Sequence, residues 1–400
     1  MDVQFPKRQL ITECERKALV ELLDRTMATG SAFDRYGGVE VDAFEKEFAA
    51  AYGTRYCTAV SSGTAGIHTA LAALRLEPGT EVICSPITDP GAVMPVVLLN
   101  LIPVFADCEP GTFNVSASGV MDAITPRTGA VVVGHIAGEP ADIASIAEAA
   151  GEQNISLIED CSQSHLARWN GKPVGTFGDM GVFSIMSGKQ MTSGGQGGMI
   201  ITDSEDLYYK CKSFADRGKP FGTDSPTNIM AGLNYRMTEI EACIGRVQLK
   251  RLPEMIARRR SCAALIRKAM NGLEILTPGR VLDSADPSWW FLRIHAASEK
   301  CGVPKEDVSR MLKEKGVPAA PTYTTIIYKQ KWFEEQTVFG SSHMPWTLTE
   351  NLYAYTGCCP EAERSLGNHL MIAFHESLSA EDAQWIGQAI CRTDTELQSR

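Results

Sequence analysis

The chain has 400 residues, 44% apolar and 22% charged, and a formal net charge of -10. That length exceeds what one hydrophobic core usually supports, so two domains are expected, with the composition of an ordinary soluble globular protein. The negative charge disfavours a nucleic-acid partner, although a local cluster of donors can still hold a phosphorylated small molecule. In chain order, the first residues carry no hydrophobic leader, so no signal peptide is expected. Residues 16–27 and 41–52 have apolar positions at helical spacing, joined by a glycine-containing connection over 30–38. From residue 55 the texture changes. Strands are expected at 56–60, 81–85, 129–135, 155–159, 179–185 and 198–202, with helices at 64–76, 142–150 and 205–217. The apolar stretch 92–105 is broken by Pro95, Asn100 and Pro103. It is too short to span a membrane and reads as a helix, a turn and a buried strand.

Short apolar runs alternating with helices indicate an α/β fold, a mostly parallel sheet covered by helices on both faces. A long helix follows at 237–270, and its run Arg258-Arg259-Arg260 reads as a solvated face. Past residue 257 the rhythm is lost. Segments 289–295, 305–315 and 380–392 suggest a smaller α+β domain. The expected division is therefore 1–256, an N-terminal arm with the large domain, and 257–400, the small C-terminal domain. Residues 334–348 read as a polar loop. Twelve scattered cysteines form no C-x-x-C pair. They point to reduced thiols in a cytoplasmic protein, without a metal site.

Three segments carry chemistry. Lys189 lies in a Ser- and Gly-rich loop between two apolar runs, followed by Gly194-Gly195-Gln196-Gly197-Gly198. A lysine amine in a dry pocket condenses with aldehydes, and pyridoxal phosphate is the common aldehyde cofactor. Asp160 closes an apolar strand, where open α/β sheets place their chemistry; its structural alternative is a helix N-cap. Ser61-Ser62-Gly63-Thr64-Ala65 lies between a strand and a helix, where free N–H groups and small residues admit a phosphate. Ser184, five positions before Lys189, offers a hydroxyl for the same phosphate.

The ordered set S-S-G-T-A, E-D-C-S-Q-S-H, F-S-x-x-x-x-K with G-G-Q-G-G, and L-N-Y-R-M-T-E-I resembles the DegT/DnrJ/EryC1/StrS family of pyridoxal-phosphate-dependent sugar and cyclitol aminotransferases. The resemblance runs from about Gly38 to the last helix. It implies fold type I, the aspartate aminotransferase architecture, and a homodimer. It also implies that Lys189 tethers the cofactor and acts as acid and base, that Asp160 faces the pyridine nitrogen, and that Gln163 meets the ring hydroxyl. Gly63, Thr64 and Ser184 match phosphate ligands. Asn234 matches an asparagine that reaches the phosphate of the neighbouring subunit, so that each site needs two chains. His165 matches a motif histidine, structural or in contact with the cofactor.

Two positions depart from the family pattern. Asp89 stands after Pro86-x-Thr88, where an aromatic side chain usually stacks on the ring, and Gln196 replaces a glutamate in the glycine-rich tail. The implied substrates are an amino-acid donor, glutamate or glutamine, and a keto sugar or keto cyclitol. Arg217 and Arg236 are candidates for the donor carboxylate. Two competing readings are a sugar dehydratase on the same scaffold, in which the tethering lysine is commonly histidine, and a pyridoxal-phosphate-binding regulator without turnover. Retention of Lys189, Asp160 and Gln163 favours the aminotransferase.

Overall fold

The computed structural model describes residues 5–30, 33, 38–350 and 353–399. Most of the expected 30–38 connection therefore lies outside the described residues. Helix α1, Glu13–Thr29, starts at a capping box in which Thr12 and Glu15 satisfy each other's N–H groups. Helix α2, Val39–Tyr52, ends at Gly53 in the left-handed conformation.

Seven strands build the large sheet. They are β1 (Tyr56–Val60), β2 (Glu81–Cys84), β3 (Ile102–Phe105), β4 (Thr128–Gly134), β5 (Ser156–Asp160), β6 (Met180–Ser184) and β7 (Gly198–Thr202). Their order is β1-β7-β6-β5-β4-β2-β3. Only β7 is antiparallel, to β1 on one side and β6 on the other; the other pairings are parallel. Strands β2, β6 and β7 are buried along their whole length, which explains their unbroken apolar runs. Helix α3, Gly63–Leu74, follows β1 and packs on the sheet with nine buried residues. The stretch 92–105 resolves as expected, with a helix at Met94–Leu98 leading into β3.

A second sheet pairs Leu276–Pro278, Phe291–Ala296, His369–Ala373 and Ala319–Ala320, all antiparallel. Helices Lys305–Glu314 and Ala380–Gln398 share its core. The architecture is thus a large, mostly parallel sheet with helices plus a smaller sheet unit. One continuous helix, Glu239–Ala269, joins them, and residues 256 and 257 both fall inside it.

Two expectations change. The basic run on this helix is not a solvated face. Arg259 is 1% exposed and pairs with Glu376 at 2.8 Å, while Arg260 donates to the carbonyls of Pro287 and Leu166. Only Arg258 remains exposed. A buried guanidinium needs such a complete set of acceptors, and sequence spacing does not reveal them. Residues 334–348 hold only short turns of helix, yet Trp346 is buried against Phe333, ring centroids 5.4 Å apart. None of the twelve cysteines is bridged, and eight are buried. No helix among the described residues is long and apolar enough to cross a membrane.

Candidate active site

The carboxyl ends of β5 and β6, the start of α3 and the loop after β6 meet around one cavity of about 180 Å³. Gly63, Thr64, Asp160, Gln163, Ser184 and Lys189 all line it. Six of the seven residues expected to hold a cofactor are therefore neighbours, although they are up to 126 positions apart.

The cradle begins at α3. Ser62 caps the helix, its hydroxyl accepting from Ala65 N–H at 3.0 Å. Gly63 and Thr64 are the first two helical residues, and their N–H groups have no intrahelical acceptor. Gly63 packs tightly against the end of β6. A Cβ there would stand 2.7 Å from Ser184 Cβ. The end of β6 is itself rigid, because Phe183 packs against Phe48 and Tyr52, centroids 5.2 and 4.6 Å away. The hydroxyls of Thr64 and Ser184 and the two free N–H groups of this helix start line one cavity, and no side chain of the cradle itself is acidic, which suits a phosphate.

Asp160 closes β5. Its Oδ1 accepts from Ser162 N–H at 3.0 Å, and burial pushes its carboxyl above the ordinary aspartate range. A carboxylate so placed gains from a protonated ring nitrogen opposite it. Gln163 is held at both ends of its amide. Its Oε1 accepts from Ala137 N–H at 2.9 Å, and its Nε2 donates to the Tyr323 hydroxyl at 2.6 Å. The amide retains a second N–H for a ligand. His165 does not line the cavity. It is fully buried, its ring nitrogen Nε2 sits 2.8 Å from the Ser184 carbonyl, and burial pushes it down to about 4. It is a neutral strut behind Ser184.

Lys189 is 6% exposed. Burial drives its ammonium below the ordinary lysine range, against the charges of Asp160 and Asp89, which favour protonation. Its Nζ lies 4.1 Å from the centroid of the Trp290 indole. The loop backbone is fastened from outside by Arg8, whose guanidinium donates to the carbonyls of Lys189 (2.7 Å) and Gln190 (3.1 Å) and to Glu376 (2.9 Å). A buried amine of depressed basicity, a carboxylate at a strand end and a helix-start cradle fit pyridoxal phosphate: Lys189 for its carbonyl, Asp160 for its ring nitrogen, and Gly63, Thr64 and Ser184 for its phosphate.

Other expected residues lie elsewhere. Asn234 is exposed and outside the cavity, its backbone bridged to Asp216. Arg217 and Arg236 converge on Asp216 and do not line the cavity either. Asp89 does line it, but its Oδ1 turns back to accept from Gly91 N–H at 2.8 Å. The apolar lining comes from Ile67, Ala92 and Met186. Sequence reasoning missed Arg8, Trp290 and Tyr323. The pair Trp289-Trp290 opening a strand was a visible signal; Arg8 and Tyr323 carried none. His135, Glu159 and Cys161 also offer atoms within 4.8 Å of one another. Glu159 is already saturated by Gly175, Phe177 and Gly178 N–H groups and by His135, whose other nitrogen accepts from Ala141. Glu159 and His135 thereby brace the loop over 175–178.

Sheet order and cavity together define a pyridoxal-phosphate enzyme of fold type I. Residues 13–391 match the DegT/DnrJ/EryC1/StrS aminotransferase family, and the chain belongs to that family: it is a pyridoxal-phosphate-dependent aminotransferase. It is 31% identical over 326 residues to a GDP-perosamine synthase of Escherichia coli O157:H7, covering 80% of this chain and 86% of that one. It is 36% identical over 237 residues to a putative L-glutamine:3-amino-2,3-dideoxy-scyllo-inosose aminotransferase of Streptoalloteichus tenebrarius, covering 59% and 57%. An aminotransferase structure from Psychrobacter cryohalolentis superposes with a TM-score of 0.86 at 28% identity, covering 98% of this chain and 100% of that one.

Proposed function

We propose that the enzyme moves an amino group from glutamate or glutamine to the ketone of a keto sugar or keto cyclitol, in amino-sugar or aminocyclitol biosynthesis. The observation that carries this reading is Lys189, buried and of lowered basicity, in the cavity that also holds Asp160 and the α3 cradle. Support comes from the relatives' names, one a synthase of GDP-perosamine and the other a putative L-glutamine:3-amino-2,3-dideoxy-scyllo-inosose aminotransferase. When bound, pyridoxal phosphate supplies the carbonyl that captures the amino group and the ring that draws electrons from the donor's α-carbon. Lys189 is the covalent tether. Once released, its Nζ takes the donor's α-proton and later returns a proton to the acceptor carbon. Burial lowers its basicity and so favours the neutral amine that this work requires. Asp160 would hold the ring nitrogen of the bound cofactor, and its negative charge would stabilise the charge that develops during proton transfer. Gln163 is held by Ala137 and Tyr323, and its remaining N–H would hold the ring hydroxyl. The cradle fixes the phosphate end.

The reading extends to a cytoplasmic homodimer. Asn234 is exposed, next in the chain to Leu233 and six residues before Ile240, both large apolar side chains left open to solvent in one chain. Burial of that face against a second copy would carry Asn234 to the partner's cradle and complete each site from two chains.

The test is a coupled assay. Purified enzyme with pyridoxal phosphate, glutamate or glutamine, and keto sugar and keto cyclitol acceptors should release the matching keto acid and an aminated product. The Lys189→Ala variant should fold and show no turnover. Loss of water from the acceptor without keto-acid release would instead establish the dehydratase. A cofactor band that no amino donor bleaches would establish the regulator.

A further inference from the structure

Trp290 stands between the reaction cavity and a second, larger one. The second cavity, of about 500 Å³, is lined by Gly188, Trp290 and Tyr323 together with side chains of the small sheet. Trp290 is held at three points. Its Nε1–H donates to the Gly188 carbonyl at 2.8 Å, on the residue preceding Lys189. Its backbone N–H donates to the Ala137 carbonyl at 2.8 Å. Its ring edge meets Tyr323, centroids 5.8 Å apart and planes nearly perpendicular. Ala137 and Tyr323 are the two groups that hold Gln163. The indole is therefore part of the frame that positions Gln163, and its π face is presented to Lys189 Nζ at 4.1 Å.

We propose that the Trp290 indole face receives the Lys189 amine when it is not covalently engaged and stabilises its ammonium form, the state between taking the proton and returning it. The inference rests on the reading of Lys189 as tether and proton carrier. A transaminase lysine must be released in each half-reaction, remain within reach, and hold a proton before returning it. A π face attracts an ammonium and not a neutral amine, so it stabilises the proton-loaded state without forming an ion pair that would have to be broken. The other groups bearing on this amine are the carboxylates of Asp160 and Asp89, the neutral imidazole of His165 behind Ser184, and Arg8, which touches only the loop carbonyls. Asp160 is committed to the ring nitrogen when the cofactor is bound. Asp89 is turned to its own backbone. The indole then adds to the charge of Asp89 in steadying the ammonium, and does so in direct contact with it. Trp290 acts through Lys189 and is a positioning residue.

The experiment measures the protonation of Lys189 directly, in protein freed of cofactor. Wild type, Trp290→Phe and Trp290→Leu are acylated with acetic anhydride across a pH series, and acetylation of the Lys189 peptide is quantified by mass spectrometry. Loss of the indole in Trp290→Leu should shift the midpoint down by about one pH unit, a roughly tenfold larger acid dissociation constant, with Trp290→Phe between the two. In the loaded enzyme, Trp290→Leu should lower kcat with little change in the donor KM, move the acidic limb of the kcat profile down, and be partly rescued by Trp290→Phe. An unchanged midpoint, or one that rises, overturns the inference. So does a Trp290→Phe variant indistinguishable from Trp290→Leu. These outcomes leave the role of Lys189 as tether intact, because that role is read separately by the cofactor's attachment to residue 189.

Discussion

The sharpest consequence of the cradle geometry concerns Gly63. Replacing it with alanine adds one carbon 2.7 Å from Ser184 Cβ and 3.2 Å from Ser184 Cα, where ordinary contact begins at 3.4 Å. The start of α3 and the end of β6 must separate by roughly 0.7 Å. Neither yields easily. Ser184 follows the packed Phe183, and Ser62 is already engaged as the helix cap. Strain of this kind costs about 1–3 kcal/mol. The phosphate donors lie on both sides of the gap, so opening it loses or stretches at least one charge-assisted hydrogen bond, itself worth about 1.5–3 kcal/mol. Pyridoxal phosphate should bind Gly63→Ala about 10- to 100-fold more weakly, measured by titrating cofactor-free protein and following the bound-cofactor absorbance. Gly151→Ala is the control. That glycine lies in the helix Ile143–Glu152 with nothing within 4 Å of a new Cβ, and alanine there should leave affinity unchanged and stability equal or up to about 1 kcal/mol higher. A folded Gly63→Ala protein with wild-type cofactor affinity would refute the cradle.

Two further outcomes follow from the same geometry. Mixing Lys189→Ala with Asn234→Ala, each impaired alone, should restore about a quarter of wild-type activity by random pairing, because one site in each mixed dimer regains both residues; no recovery despite subunit exchange would exclude a shared site. Arg8→Ala removes the clamp on the Lys189 and Gln190 carbonyls while Glu376 keeps Arg259 as its partner. It should lower kcat about 10- to 100-fold through misplacement of the lysine loop, and a rate within twofold of wild type would show that the loop holds itself.

Much of the large sheet was legible because its strands are buried on both faces and their apolar runs stand out between turns. Strands at 56–60 and 198–202 match residue for residue. The short pieces of the small sheet, Leu276–Pro278 and Ala319–Ala320, were not, since two or three residues carry no period. Within the site, Asp160, Ser184 and Gly63 could be placed by their positions at strand ends and a helix start. Arg8 and Tyr323 could not, because they meet Lys189 and Gln163 across 181 and 160 positions of chain, a pairing that only the fold makes. The arginine run misled for a related reason. Charge on a long helix usually means solvent, and only the fold reveals that Glu376 and the carbonyls of Trp289 and Phe374 wait for Arg259.

The proposed transamination depends on the covalent attachment of pyridoxal phosphate to Lys189. Borohydride reduction of the purified enzyme followed by peptide mass spectrometry should place the reduced cofactor on that residue, at one equivalent per chain, and none on Lys189→Ala. Label on another lysine, or no stable label in an enzyme that turns over, would contradict it.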